Sequence, residues 1–96
     1  AFGAGKGQGL MGAYCASKSV VMRLTETLAE ELKTKGINVN AVLPTVIDTA
    51  ANRAAMPDDN PADWVSPGDL ANVVCFLLSP AAKALHGALL PVRGLS

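Results

Sequence analysis

The stretch Leu28-Ala29-Glu30-Glu31-Leu32-Lys33-Thr34-Lys35-Gly36-Ile37-Asn38-Val39-Asn40-Ala41-Val42-Leu43-Pro44 holds a change of period that decides the fold class. Up to Lys35 the apolar residues Tyr14, Val21, Leu24, Leu28 and Leu32 recur at spacings of three, four and seven, the pattern of one face of an amphipathic helix. This predicts a long helix from Ala13 to about Lys35. Gly36 supplies a helix-ending position, and Lys33 and Lys35 place cations in the last turn, where they suit the helix dipole. From Ile37 the residues alternate apolar and polar, then become wholly apolar until Pro44, which predicts a strand.

Residues 44 to about 65 form a long connection with Pro44, Pro57 and Pro61 and two turn clusters; loops of this length are often lids or binding loops. Ser66-Pro67-Gly68-Asp69 has the form of a helix start, with serine as cap, proline in the first helical position and an acid in the first turn. It leads into Leu70-Ala71-Asn72-Val73-Val74-Cys75-Phe76-Leu77-Leu78, and Ser79-Pro80 ends the run. Gly87 to Val92 reads as a short apolar strand, and Pro91 within it argues for an edge or a bulge. Long helix, strand, loop, helix, strand predicts an α/β fold, the C-terminal part of a Rossmann-like doubly wound parallel sheet. In such sheets ligands collect at the carboxyl ends of the strands, which points to Pro44 onward.

Bulk composition limits the alternatives. Half of the 96 residues are hydrophobic and 17% are charged, enough for one modest core, so residues 1–96 are expected to form a single partial domain. Eight basic and eight acidic residues leave no net charge, hence no electrostatic footprint for nucleic acid or an anionic membrane surface. No run approaches the roughly 20 apolar residues that span a bilayer, and the glycine-rich opening lacks the basic and apolar regions of a secretory signal, so a cytoplasmic setting is expected. Cys15 and Cys75 lie in helical patterns without metal-ligand or redox spacing and are expected to be reduced packing residues; no metal is expected. The sequence opens on Ala1-Phe2-Gly3 without a preceding strand, which is expected of a piece of a longer polypeptide.

Two residues carry the candidate chemistry. Tyr14 and Lys18 are four apart on the long helix and so project from one face. A phenol is a poor acid or base at neutral pH, and a nearby ammonium favours the phenolate, which suits proton transfer. The plain alternative is an aromatic near a helix start with a solvated lysine one turn on.

Three segments in order extend this reading. Ala13-Tyr14-Cys15-Ala16-Ser17-Lys18-Ser19 resembles the AYxASKxA segment of short-chain dehydrogenases/reductases; Gly36 to Pro44 resembles their GIxVNxxxP strand; His86-Gly87 through Val92-Arg93-Gly94 resembles their closing TGxxxxVxGG strand. The resemblance implies NAD or NADP as cofactor and a small-molecule substrate. It makes Tyr14 the proton donor or acceptor during hydride transfer and also a cofactor contact, and Lys18 the residue that holds the nicotinamide ribose. It also implies a homodimer or homotetramer, in which the helix bearing Tyr14 packs against its mate, so that Val21, Leu24, Leu28 and Leu32 face another subunit. After the strand the family reads PGxxxT, and here Pro44-Thr45-Val46-Ile47-Asp48-Thr49 assigns cofactor contacts to Pro44, Val46 and Thr49 by resemblance. Thr45 stands where the family has glycine, a β-branched residue in place of one that tolerates close backbone approach and positive φ.

The family's catalytic serine, thirteen residues before the tyrosine, falls on Ala1. Quinonoid dihydropteridine reductase works without that serine, and Leu43-Pro44, Asp48-Thr49, Asn52-Arg53, Met56-Pro57 and Trp64 are similar to its pattern, which implies a carbonyl or quinonoid imine as acceptor. Gly7 to Gly12 fits GxGxxG but lacks a preceding strand, and Glu30 and Glu31 lie in the same helix, so it is discounted as a dinucleotide fingerprint. Arg53 and Trp64 are read either as pocket-lining residues or as a solvated arginine and a loop anchor; His86 is read as structural. A second reading makes the chain a catalytically inactive fragment or association module lacking the dinucleotide-binding half.

Overall fold

In the computed structural model the described residues are 12–96. Helix α1 spans Gly12–Leu32 and tightens into a 3₁₀ turn at Lys33–Lys35. It stops at Gly36, whose left-handed φ of 69° is easily reached only without a Cβ, and whose N–H donates to the Lys33 carbonyl. Strand β1 (Ala41–Pro44), helix α2 (Ala50–Ala55), helix α3 (Pro67–Leu77) and strand β2 (Leu89–Val92) follow, with 3₁₀ turns at Pro61–Asp63 and Pro80–Ala82. The expected α/β order is present, and β1 and β2 run parallel as neighbours, with Ala41 opposite Leu89 and Pro44 opposite Val92.

The ladder shows why Pro91 is tolerated. Ala41 N–H donates to the Ala88 carbonyl and Thr45 N–H to the Val92 carbonyl. Residues alternate in the side to which their N–H and C=O point, so Ala88, Leu90 and Val92 face β1 while Pro91 turns its donorless nitrogen the other way.

Strand β1 is shorter than the alternation predicts, because residues 37–40 satisfy their polar groups differently. The Asn40 side chain donates to the Leu85 carbonyl and accepts from Ala88 N–H, both at 3.0 Å. Asn38 donates to the Lys83 carbonyl, and Val39 N–H reaches His86 Nδ1. The entry to β1 is thus stitched by side chains to residues 83–88, and the regular ladder begins at Ala41.

Helix α1 turns inward a face other than its apolar stripe. Cys15, Met22, Thr25 and Ala29 turn inward, while Val21, Leu24 and Leu28 are exposed, along with Val20. Thr25 is tolerated inside because its hydroxyl donates to the Val21 carbonyl at 2.9 Å. Cys15 packs as expected, but Cys75 lies exposed on α3, so packing does not explain it. The rest of the described core is Trp64, Val65 and Ala82. Ser66 caps α3 as its sequence predicts, accepting from Asp69 N–H at 3.1 Å.

Candidate functional site

The first turns of α1 set Tyr14 and Lys18 on one side of the helix, and the Lys18 ammonium lies 5.4 Å from the centroid of the Tyr14 ring. A cation over an aromatic face at that range is attracted by the ring quadrupole. Tyr14 is exposed and Lys18 half-buried. With Val21, Met22 and Ala41–Pro44, Lys18 lines a recess of about 310 Å³ between α1 and β1. A largely apolar recess between α1 and the parallel strand β1 therefore carries the Lys18 ammonium, which lies over the Tyr14 ring.

Pro44 hands the chain on to the connection that contains the other candidates. Val46 accepts from Val65 N–H at 2.9 Å, Asp48 N–H donates to the Val65 carbonyl at 2.8 Å, and Ile47 bridges Val65 in parallel. Thr49 caps α2, its hydroxyl accepting from Asn52 N–H at 3.1 Å. The Asn52 side chain reaches back to the Ile47 carbonyl at 2.8 Å. Arg53 grips the Asp48 carboxylate through two nitrogens, at 2.6 and 2.9 Å. That hydrogen-bonded guanidinium holds the Asp48 carboxyl below its ordinary range, and the carboxylate raises the Arg53 pKa in turn. Each of the three residues before α2 is tied to Asn52 or Arg53.

The structure thus brings Lys18 and Pro44 to one recess, and Val46 and Thr49 follow along the segment leaving it. Trp64 is buried and anchors the far end of the connection, and Arg53 is an ion-pair partner, so the plainer readings of both hold. His86 is structural, bridging the Ala29 carbonyl through Nε2 and Val39 N–H through Nδ1. Ala1 and residues 7–11 of the glycine cluster lie outside the described residues. The expected connection from 44 to 65 hides a helix the sequence reading missed. Ala50, Ala51, Ala54 and Ala55 are strong helix formers behind a threonine cap, which was the available signal. Among the described residues no three histidine, cysteine or acidic side chains gather as metal ligands, and no helix is long and apolar enough to cross a membrane.

Comparison with known proteins defines the class. The family model described as Enoyl-(Acyl carrier protein) reductase matches residues 1–94. Galactitol 2-dehydrogenase of Rhizobium johnstonii is 41% identical over 90 residues, which cover 83% of this chain and 35% of the relative. A short-chain type dehydrogenase/reductase from Mycobacterium ulcerans superposes with a TM-score of 0.87 at 28% identity, covering 99% of this chain and 38% of that one. Actinorhodin polyketide ketoreductase, solved with NADPH, superposes with a TM-score of 0.82 at 29% identity, over 98% of this chain and 43% of its own. A further structural neighbour is complexed with NADH.

The chain belongs to the short-chain dehydrogenase/reductase family, a family of oxidoreductases. It spans 35–38% of the length of curated relatives it matches.

Proposed function

We propose that the protein carrying this chain is an NAD- or NADP-dependent oxidoreductase that reduces a carbonyl or a quinonoid imine, with Tyr14 as proton donor and Lys18 as the residue that holds the nicotinamide ribose. The observation that carries the proposal is the Lys18 ammonium lying 5.4 Å from the Tyr14 ring centroid. Lys18 lines a recess whose other wall is β1.

The donor set suits a nicotinamide ribose and carboxamide. Lys18 offers three N–H donors beside apolar walls at Val21, Met22, Val42 and Leu43. Thr49 has one lone pair taken by Asn52 N–H, and its own proton meets no acceptor among the described residues, so it is available to a carboxamide. Pro44 and Val46 present the backbone that leads to it. When bound, the dinucleotide supplies the hydride. Tyr14 gives its phenolic proton to the substrate oxygen or nitrogen as the hydride adds to carbon, and takes a proton in the reverse direction; the Lys18 side chain stands over that phenol ring. An imine already activated toward reduction needs little further polarisation, which fits the departure at Ala1 from the family's serine. The exposed Val21, Leu24 and Leu28 of α1 suit a homo-oligomer in which two copies of this helix pack together.

The test uses the full polypeptide. NADH and NADPH are titrated by nicotinamide fluorescence, and turnover is followed with carbonyl and quinonoid pterin acceptors. Saturable cofactor binding, with turnover lost in Tyr14→Phe while binding persists, supports the assignment. Absence of cofactor binding in the unaltered protein sinks it, and leaves the reading of a catalytically silent association module.

A further inference from the structure

The turn after β2 touches both ends of the segment that runs from β1 to α3. At the near end, Thr45 N–H donates to the Val92 carbonyl at 3.1 Å. The Thr45 hydroxyl lies 3.1 Å from the Arg93 carbonyl and within hydrogen-bond reach of the Ser96 hydroxyl, which itself donates to the Arg93 carbonyl at 2.7 Å. At the far end, Leu95 N–H donates to the Asp63 carbonyl at 2.9 Å. Gly94, at φ 58°, packs so closely that a Cβ there would stand 3.0 Å from the Asp63 and Trp64 carbonyl oxygens. Arg93 Nε closes the turn on itself by donating to the Ser96 carbonyl at 3.0 Å. Residues 93–96 therefore form a clasp, with Thr45 on one side and Asp63-Trp64 on the other.

We propose that Thr45 is a positioning residue, whose hydroxyl, through the Arg93–Ser96 clasp, fixes the path of Val46 to Thr49 and so the placement of the nicotinamide end of the cofactor. The proposal rests on the cofactor reading above. A glycine at this position keeps the backbone bond to Val92 but has no hydroxyl to join the clasp. Threonine adds that tie one residue before the segment that carries Val46 and Thr49. A net hydrogen bond of this type is worth a small factor in affinity, about two- to tenfold.

Thr45→Val is close in shape and removes only the hydroxyl; Thr45→Ser restores it. In the full-length enzyme, calorimetry compares NADH or NADPH with ADP-ribose, which lacks the nicotinamide. The expected result is that Thr45→Val weakens the dinucleotide about two- to tenfold, leaves ADP-ribose unchanged, and is rescued by Thr45→Ser. Ser96→Ala, which removes the partner hydroxyl, is expected to shift the same ratio in the same direction. Equal loss for both ligands, no change in either, or failure of Thr45→Ser to rescue overturns the positioning role while leaving the oxidoreductase reading intact. Failure of the unaltered enzyme to bind any dinucleotide overturns both.

Discussion

The Lys18 ammonium stands 5.4 Å from the centroid of the Tyr14 ring, one helical turn away on α1. The pair is held by a helix whose inner face is pinned at Cys15 and Met22, residues that bracket Lys18. A fixed carrier suits the proton transfer proposed for Tyr14, because such transfer depends on heavy atoms meeting at hydrogen-bond range in the substrate complex.

The separate roles proposed for the two side chains predict separate kinetic signatures. Tyr14→Phe removes only the transferable proton, so turnover of the full enzyme is expected to fall by about a hundredfold to ten-thousandfold. Cofactor affinity should hardly move. Lys18→Ala instead weakens cofactor binding as well as turnover. Stopped-flow hydride transfer combined with nicotinamide fluorescence separates the two, and a Tyr14→Phe enzyme with full single-turnover rate would remove Tyr14 from the chemistry.

Two glycines with left-handed backbones give a paired stability prediction. Gly36 has φ 69° and open space where a Cβ would go, whereas Gly94 has φ 58° and carbonyl oxygens at 3.0 Å. Gly36→Ala should cost about 1–2 kcal/mol from the backbone alone. Gly94→Ala carries the same strain plus a contact that backbone must yield to, and is expected to cost more. Urea unfolding of both variants checks the order, and equal losses would mean that the turn at residues 93–96 yields freely.

Local signals explain what was legible in the sequence. Gly36 ends α1 and Ser66 starts α3 through contacts a few residues long, so both were readable. Which side of α1 turns inward was not, because periodicity groups Val21, Leu24 and Leu28 on a stripe without saying what covers it. Burial instead follows Cys15, Met22, Thr25 and Ala29, the stripe that β1 and the segment around Gly87 approach; a Cβ on Gly87 would stand 3.3 Å from the Ala29 Cβ. The start of β1 shifted to Ala41 since Asn38 and Asn40 find partners some 45 residues away. That Tyr14 and Lys18 share one side of α1 was legible because helical spacing aligns them. The tie from Thr45 to residues 93–96 was not, since the two segments meet only in the folded chain.

His86 joins two elements and predicts a specific tautomer. Its Nε2 faces the Ala29 carbonyl and can only donate there, while Nδ1 accepts from Val39 N–H at 3.4 Å. The neutral ring is therefore expected with its proton on Nε2. Nitrogen-15 chemical shifts of the imidazole read this directly. His86→Phe should destabilise by about 1–3 kcal/mol by leaving a half-buried Val39 N–H unpaired. An Nδ1-protonated ring would contradict the bridge.

The Asp48–Arg53 pair gives a pH dependence with a defined sign. Arg53 lowers the Asp48 pKa in the folded chain, so the contribution of the pair is complete above the ordinary aspartate value and fades as pH falls through the lowered one. The stability gap between the unaltered protein and Asp48→Asn should thus be widest near neutrality and close on acidification. Added salt should narrow it as well, because the pair is solvent-accessible. Thermal melts of both proteins across the acidic range test this, and a gap that widens on acidification would show that Arg53 does not govern Asp48.

The exposed stripe of α1 yields the last prediction. Val20, Val21 and Leu24 are 65%, 53% and 53% exposed, with Leu28 following on the next turn. Apolar residues grouped this way on one helix suit the association surface proposed for it. Two copies of α1 packed together would cover the stripe while leaving Cys15, Met22 and Ala29 turned inward on each. Leu24→Glu sets a charge in the middle of that contact, opposite its own copy in a symmetric pair, where desolvation and like-charge repulsion act together. The full polypeptide is expected to shift from dimer or tetramer toward monomer in sedimentation velocity, with its helical content unchanged. An unaltered assembly in Leu24→Glu would place the interface on another face of the molecule.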